Sequence, residues 1–349
     1  MRLGVFLPNW IGDVVMATPT LRALRKHVGP EGRVVGVMRP YVAEVLAGNG
    51  WIDETICYQK GQAETASSAV RQLRAARLDA AVLLTNSLRT AWMAWRSGTP
   101  RRIGYARDGR GWLLTTKLYE PRERGRWSPL PQIDSYLNLA YALGCEWEPP
   151  RLELATTADD EALADHVWRQ LGLTGQQVAV LNSGGAFGAA KDWPAEHFSS
   201  LAKRIAESLG LHVLVNCGPN ERDTAREIAR QAHDPRVVSL ADQPELPIGL
   251  TKACIRRARL LVTTDSGPRF FGVAFDVPTI SLFGPTNTRW TRTHSELETS
   301  VSLGLECQPC MARTCPLGHH RCMRDLSVEM VLAKVREQVG GTVPRGLVA

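Results

Sequence analysis

No uninterrupted apolar stretch in the 349 residues is long enough to cross a bilayer, which argues against a membrane-spanning chain. The early apolar run is broken by Pro8, Asn9 and Asp13 and lacks a basic leader and a cleavage site, so it does not read as a signal peptide. A soluble, cytoplasmic protein is expected. No fixed-period repeat or low-complexity tract occurs, which excludes solenoids and fibrous arrays. The Gly-x-Gly-x-x-Gly fingerprint and the Gly-Lys-Ser/Thr ending of a P-loop are both missing, which argues against a nicotinamide dehydrogenase and a P-loop NTPase. No nucleic-acid recognition module is present, so the net charge of +7 does not by itself imply nucleic acid.

What is present is ordinary globular material, 44% hydrophobic, in a chain long enough for two domains. The chain is organised around its opening, Arg2 to Ala17. Leu3 to Leu7 reads as a buried parallel strand, Pro8 and Asn9 break it, Gly12 allows a tight turn, and helical spacing sets in from Val14. Asp13 then stands at the join of strand and helix, where ligands bind in open α/β sheets; it can be a general base, a helix cap or both. Strand and helix patterns alternate to about residue 145, and Thr85-Asn86-Ser87 repeats the theme of small polar groups after a buried strand. The pattern fades around Pro149 and Pro150, where a domain boundary is placed, giving domains 1–155 and 156–349. A second alternating series follows. Two such series predict two doubly wound parallel sheets. From Gly340 the chain reads as a frayed tail.

The second series carries the phosphate signals. Asn182-Ser-Gly-Gly follows its first strand and leads to Lys191; small residues let backbone amides approach an anion and the lysine adds charge, although a purely structural turn has the same composition. Thr264-Asp-Ser-Gly-Pro follows another strand and opens a helix, with Asp265 and Ser266 suited to capping and Pro268 to the first turn. The same helix end can hold a diphosphate. Glu221, after Cys217-Gly-Pro-Asn, can accept from ribose hydroxyls or simply favour the start of the next helix.

Two compositional clusters remain. Residues 101–126 hold eight basic and three acidic residues, which suggests an anionic partner such as a phosphorylated substrate or a membrane surface, or a solvated loop. Cys57, Cys145, Cys217 and Cys254 are scattered, as buried free thiols are. Cys307, Cys310, Cys315 and Cys322 lie together with His319 and His320, and read either as ligands of one structural zinc or as free thiols in a folded loop.

Asn9-Trp-Ile-Gly-Asp13, Lys191-Asp-Trp-Pro, Thr264-Asp-Ser-Gly-Pro, Leu282-Phe-Gly-Pro-Thr286 and Cys315-Pro-Leu-Gly-His-His-Arg-Cys322 together resemble the ADP-heptose:lipopolysaccharide heptosyltransferases of glycosyltransferase family 9, the last run their heptosyltransferase II branch. The resemblance implies a GT-B fold, two Rossmann-like domains facing across a cleft, with the acceptor on 1–155 and the ADP-sugar on 156–349. It implies inverting transfer of a heptose from ADP-L-glycero-D-manno-heptose to the inner core of lipopolysaccharide, the second heptose onto the first, at the cytoplasmic face of the inner membrane. No cofactor is implied for catalysis. Asp13 maps to the base and Lys191 to a catalytic cation. Ser183, Gly184, Lys191, Glu221, Asp265, Ser266, Gly267 and Pro268 map to the donor. Asn9, Trp10, Gly12, Asn86, Ser87, Arg122 and Arg124 are expected on the acceptor side, facing a phosphorylated or acidic lipid-linked core. One position departs: after Gly-Pro the family has one residue and then His, where this chain has Phe270. Two further readings stay open: a GT-B transferase using another sugar nucleotide, and a catalytically weakened sugar-nucleotide-binding protein.

Overall fold

A computed structural model describes residues 1–59, 62–123, 126–128, 130–185 and 187–341. The chain divides into two compact units, Met1–Ala155 with Arg289–His294, and Thr156–Thr288 with Ser295–Ala349. Among the described residues no helix is long and apolar enough to cross a membrane.

The first unit runs β1 (Arg2–Phe6), α1 (Ile11–Met16), α2 (Thr18–Val28), β2 (Arg33–Met38), α3 (Pro40–Leu46), β3 (Glu54–Cys57), α4 (Ala63–Ala76), β4 (Ala80–Leu83), α5 (Leu88–Arg96), β5 (Arg101–Tyr105) and β6 (Thr116–Leu118). A small antiparallel hairpin, β7 (Arg122–Glu123) with β8 (Arg126–Trp127), precedes α6 (Gln132–Leu143). The second unit runs α7 (Ala158–Gln170), β9 (Val178–Asn182), α8 (Ala195–Leu209), β10 (His212–Asn216), α9 (Arg222–Ala232), β11 (Val237–Ser239), α10 (Ile248–Arg256), β12 (Leu260–Thr264), α11 (Gly267–Ala274), β13 (Thr279–Leu282), β14 (Glu298–Val301), α12 (Arg321–Arg324) and α13 (Val328–Gly341).

Each unit holds one six-stranded parallel sheet, in the orders β3-β2-β1-β4-β5-β6 and β11-β10-β9-β12-β13-β14. These are the same order, that of a doubly wound dinucleotide-binding sheet. The central strands β4, β9 and β12 are buried along their whole length, because helices cover both faces; this is why they read as unbroken apolar runs. The order reverses between β1 and β4, and between β9 and β12. Ligands bind outside the carboxyl ends of the strands at such a reversal. The segments delivered there are 7–13 and 84–87 in the first unit, and 183–191 and 265–268 in the second.

Several local expectations are corrected. The first helix opens at Ile11 and not at Val14, because Trp10 takes an extended conformation and the Val14 amide bonds its carbonyl at 3.0 Å. The last helix continues through Gly340 to Gly341; the rest of the expected tail, from 342, lies outside the described residues. Cys217 and Cys254 are buried, but Cys57 is exposed at the end of edge strand β3 and Cys145 is half-buried.

Candidate functional site

In the first unit the reversal is furnished by one polar helix start and a ring of aromatic and cationic groups. Asp13 is half-buried in the first turn of α1, where a carboxylate is favoured by the helix dipole, and the side chain of the N-cap residue Trp10 makes no cap bond. Burial, and next the negative charge of Asp13, push the buried Tyr136 phenol on α6 well above its ordinary value. The Asn9 carbonyl accepts from the Tyr41 hydroxyl, which ties the loop after β1 to α3. Trp10 is exposed, and Gly12 lies within α1.

The second loop of this reversal is held from beneath by Arg110, a residue of the basic stretch expected to face an anionic partner or lie in a solvated loop. It is fully buried. Its Nε donates to the Tyr105 carbonyl at 3.0 Å, its Nη1 to the Thr85 carbonyl, and its Nη2 to Asn86 Oδ1 at 3.2 Å. Burial pulls its pKa down to about 10. Ser87 caps α5, its Oγ accepting from the Thr90 amide at 3.2 Å, so its hydroxyl already has a structural task. Elsewhere in the basic stretch, Arg102 donates to the Leu113 carbonyl at 2.7 Å and Arg107 pairs with Glu120 at 2.7 Å. Arg122 is exposed on β7, and Arg124 lies outside the described residues.

Two cations that sequence reasoning missed stand closer to the site. Arg39 follows β2 directly, and its Nε is buried without a hydrogen bond. Burial raises the Tyr58 phenol, while Arg39 and Arg89 pull it the other way, which puts both guanidinium groups near one ring. The available signal was position: both follow the carboxyl ends of parallel strands.

In the second unit the reversal is a buried polar network. Asn182, at the end of β9, donates to the Gly184 carbonyl at 3.0 Å and to Ser266 Oγ at 3.1 Å, clamping the two loops together, and its own Oδ1 accepts from Asn216 at 2.8 Å. Asp265 is buried. Its Oδ2 accepts from Lys191 Nζ at 2.9 Å and Thr286 Oγ1 at 2.7 Å, and its Oδ1 from Arg269 at 3.0 Å. Burial alone would raise the carboxyl; Arg269 and then Lys191 overcome it and hold it below its ordinary value. Arg269 is itself buried, paired with Glu298 of β14 and stacked on the rings of Phe270 and Phe283, each 4.7 Å away. Phe270 is thus a core residue packed on a guanidinium.

The donor-side residues come together. Lys191 Nζ also donates to the Asp265 carbonyl at 2.6 Å and lies 4.4 Å from the Phe187 ring centre. Ser266 is the N-cap of α11 by position, but its side chain makes no cap bond, and Asp265 is committed to cations. The helix end formed by Gly267 and Pro268 is therefore left without a side-chain cap, contrary to the capping read from Asp265 and Ser266. Ser183 Oγ is buried without a hydrogen bond, an arrangement that native interiors seldom leave unanswered. The Glu221 carboxylate packs flat on Gly184, where a Cβ would lie 2.0 Å from it, and accepts from the Gly218 amide at 2.8 Å. Asp192 is pushed above its ordinary value, first by burial and then by Glu221.

The four clustered cysteines are free thiols and line one cavity of about 20 Å³ with His319, Ala190 and Pro285. Amides of His320 and its neighbours lower the Cys315 thiol, while burial, and next the other three cysteines, raise Cys322. Among the described residues no three His, Cys, Asp or Glu side chains converge as metal ligands, so the geometry gives the zinc reading no support. The loop instead braces Lys191: the Ala190 amide donates to the Arg313 carbonyl at 3.1 Å.

The family model for glycosyltransferase family 9 (heptosyltransferase) matches residues 67–321. A lipooligosaccharide heptosyltransferase 2 of Campylobacter jejuni subsp. jejuni is 23% identical over 346 residues, covering 97% of this chain and 99% of the relative. The lipopolysaccharide heptosyltransferase 2 of Escherichia coli K12 is 25% identical over 350 residues, covering 96% and 97%. Among solved structures, the ADP-heptose LPS heptosyltransferase II of E. coli superposes with a TM-score of 0.79 at 21% identity, covering 98% of this chain and 99% of that one, a likeness that shows the GT-B fold.

Proposed function

This chain belongs to glycosyltransferase family 9, the heptosyltransferases, and we propose that it moves a heptose from ADP-L-glycero-D-manno-heptose onto the first heptose of a lipid-linked inner core, with inversion at the anomeric carbon. The observation that carries the donor half is the uncapped start of α11 beside Lys191 and the unsatisfied Ser183 hydroxyl. A diphosphate satisfies all three: its oxygens accept from helix-end amides, from the lysine and from the serine. Glu221, held on Gly184, accepts from the ribose hydroxyls.

The chemistry follows from these roles. An acceptor hydroxyl oxygen forms the new bond to the anomeric carbon as the bond from that carbon to the diphosphate oxygen breaks. Asp13 takes the hydroxyl proton, and the electron pair leaves with ADP. Lys191 and the α11 amides stabilise the charge growing on the leaving diphosphate in a preorganised, partly buried setting. Asp265 keeps Lys191 aimed, because its carboxylate is anchored by Arg269 and Thr286. On the acceptor side, Arg39 and Arg89 suit a phosphorylated or acidic core sugar, with Asn9, Trp10 and Asn86 around it; Ser87 and Arg110 support the loop. Such an acceptor is carried by lipid, so the enzyme works peripherally at the cytoplasmic face of the inner membrane. Incubation with ADP-heptose and a truncated inner-core acceptor, read by product mass, tests the reading. Release of ADP from other nucleotide sugars in preference to ADP-heptose would refute the donor assignment.

A further inference from the structure

Helix α5 is apolar on both sides. Ala91, Met93 and Ala94 face the core, as an α/β crossover helix requires. Its outward face carries Leu88, Trp92 and Trp95, which are 49%, 42% and 46% exposed. Trp112, 68% exposed, extends this face: its ring meets that of Trp95 edge to face, with centres 6.4 Å apart. A surface helix ordinarily turns polar groups to water, and contiguous exposed rings mark an interaction surface. Tryptophan in particular suits a boundary that is apolar on one side and wet on the other.

The charges carried by α5 itself have one sign. No acidic residue occurs from Leu88 to Arg107, whereas Arg89 and Arg96 lie on the exposed side of α5. Arg74 of the neighbouring helix α4 donates to the Arg96 carbonyl at 3.0 Å and brings a third cation to the rim. A second copy seated on this face in a two-fold contact would bring the Arg74, Arg89 and Arg96 guanidinium groups against their copies, with Asp108, before Trp112, a single acid to set against three cations. An anionic lipid surface meets both features, accepting the rings at its interface and the arginines at its headgroups.

We propose that the outward face of α5, with Trp112, docks the enzyme on an anionic bilayer. This deepens the reading of a lipid-linked acceptor, because it names the surface that brings the enzyme to it. The test is flotation of the full chain with vesicles of phosphatidylglycerol and phosphatidylethanolamine, with phosphatidylcholine vesicles as the neutral arm. The wild type floats with the anionic vesicles, its tryptophan emission shifts to the blue, and added salt weakens binding. Trp92→Ser/Trp95→Ser/Trp112→Ser weakens binding by about tenfold or more, as expected when buried apolar area is lost. The same variant melts as the wild type does and transfers heptose to a delipidated, water-soluble acceptor at the wild-type rate. Equal flotation of variant and wild type, or no flotation of the wild type, overturns the proposal. So does a variant whose only change is conversion from dimer to monomer in sedimentation, which would identify a second copy as the occupant. Tryptophan-dependent flotation with no transfer to any acceptor would uphold the surface and refute the functional reading.

Discussion

The two sheet reversals share one strand order and differ in almost everything placed on it. In the second unit the loops are locked by buried polar groups: Asn182 ties them together, and Asp265, Arg269 and Glu298 form a charged chain beneath them. In the first unit the corresponding loops carry exposed Trp10, half-buried Asp13 and cations near Tyr58, with Arg110 and the Thr85–Thr90 hydroxyl pair as buried braces. The difference matches the ligands proposed for each. A diphosphate is small, doubly charged and the same in every turnover, so a rigid set of donors suits it. A branched, lipid-carried sugar chain demands a broader and more adaptable surface.

Breaking the network of the second unit has the largest expected effect. Arg269→Met leaves Glu298 and Asp265 buried without the guanidinium they share, with Lys191 still paired to Asp265, and is expected to cost about 3–5 kcal/mol. Chemical denaturation checks this; an unchanged midpoint would show that the network is not structural. Removing the cation proposed to touch the donor comes next. Lys191→Ala is expected to lower turnover by about 10²–10³-fold, and unaltered turnover and donor binding would remove Lys191 from the mechanism. A finer test is Gly184→Ala. The added methyl displaces only the end of the Glu221 side chain, so stability stays while the donor KM rises, by about tenfold if one hydrogen bond to a charged group is lost. Steady-state kinetics at saturating acceptor reads it, with Glu221→Gln as the reference.

The smallest effect lies outside both reversals. Hydrogen bonding from Arg236 lowers the Asp234 carboxyl from 3.8 to about 2. A carboxyl depressed on folding contributes stability above its unfolded value, and that contribution fades as pH falls from about 4 towards 2. Asp234→Asn should flatten the acid limb of the stability profile in that window, with less than about 1 kcal/mol lost at neutral pH because Arg236 is partly exposed to solvent. An acid limb of unchanged slope would show that the pair contributes nothing.

What could be read from the sequence follows the same division. The central strands were legible because burial on both faces leaves an unbroken apolar signature, as in Leu260–Thr264. The polar edge strand Glu298–Val301 was not. Its Glu298 is there to answer Arg269, 29 positions earlier, and no local pattern announces such a pair. Arg110 read only as part of a stretch facing an anion or solvent, because its partners include backbone carbonyls at Thr85 and Tyr105, and backbone acceptors leave no trace in residue identity. The phosphate motif 264–268 was legible as a helix start, yet its residue types pointed to capping, whereas Asp265 turns to Lys191 and Arg269 instead. Phe270 read as a departure from the family's His, and its place in the structure is the core, against the Arg269 guanidinium. Cysteine spacing showed a cluster, but convergence on a metal depends on loop geometry that spacing does not contain.

The most direct measurement compares wild type and Asp13→Asn on ADP-heptose and a heptose-terminated inner-core acceptor, following added mass and ADP release together. The account predicts one heptose added by the wild type and a rate about 10²–10⁴-fold lower in the variant, at equal melting temperature. Near-wild-type transfer by Asp13→Asn would contradict it.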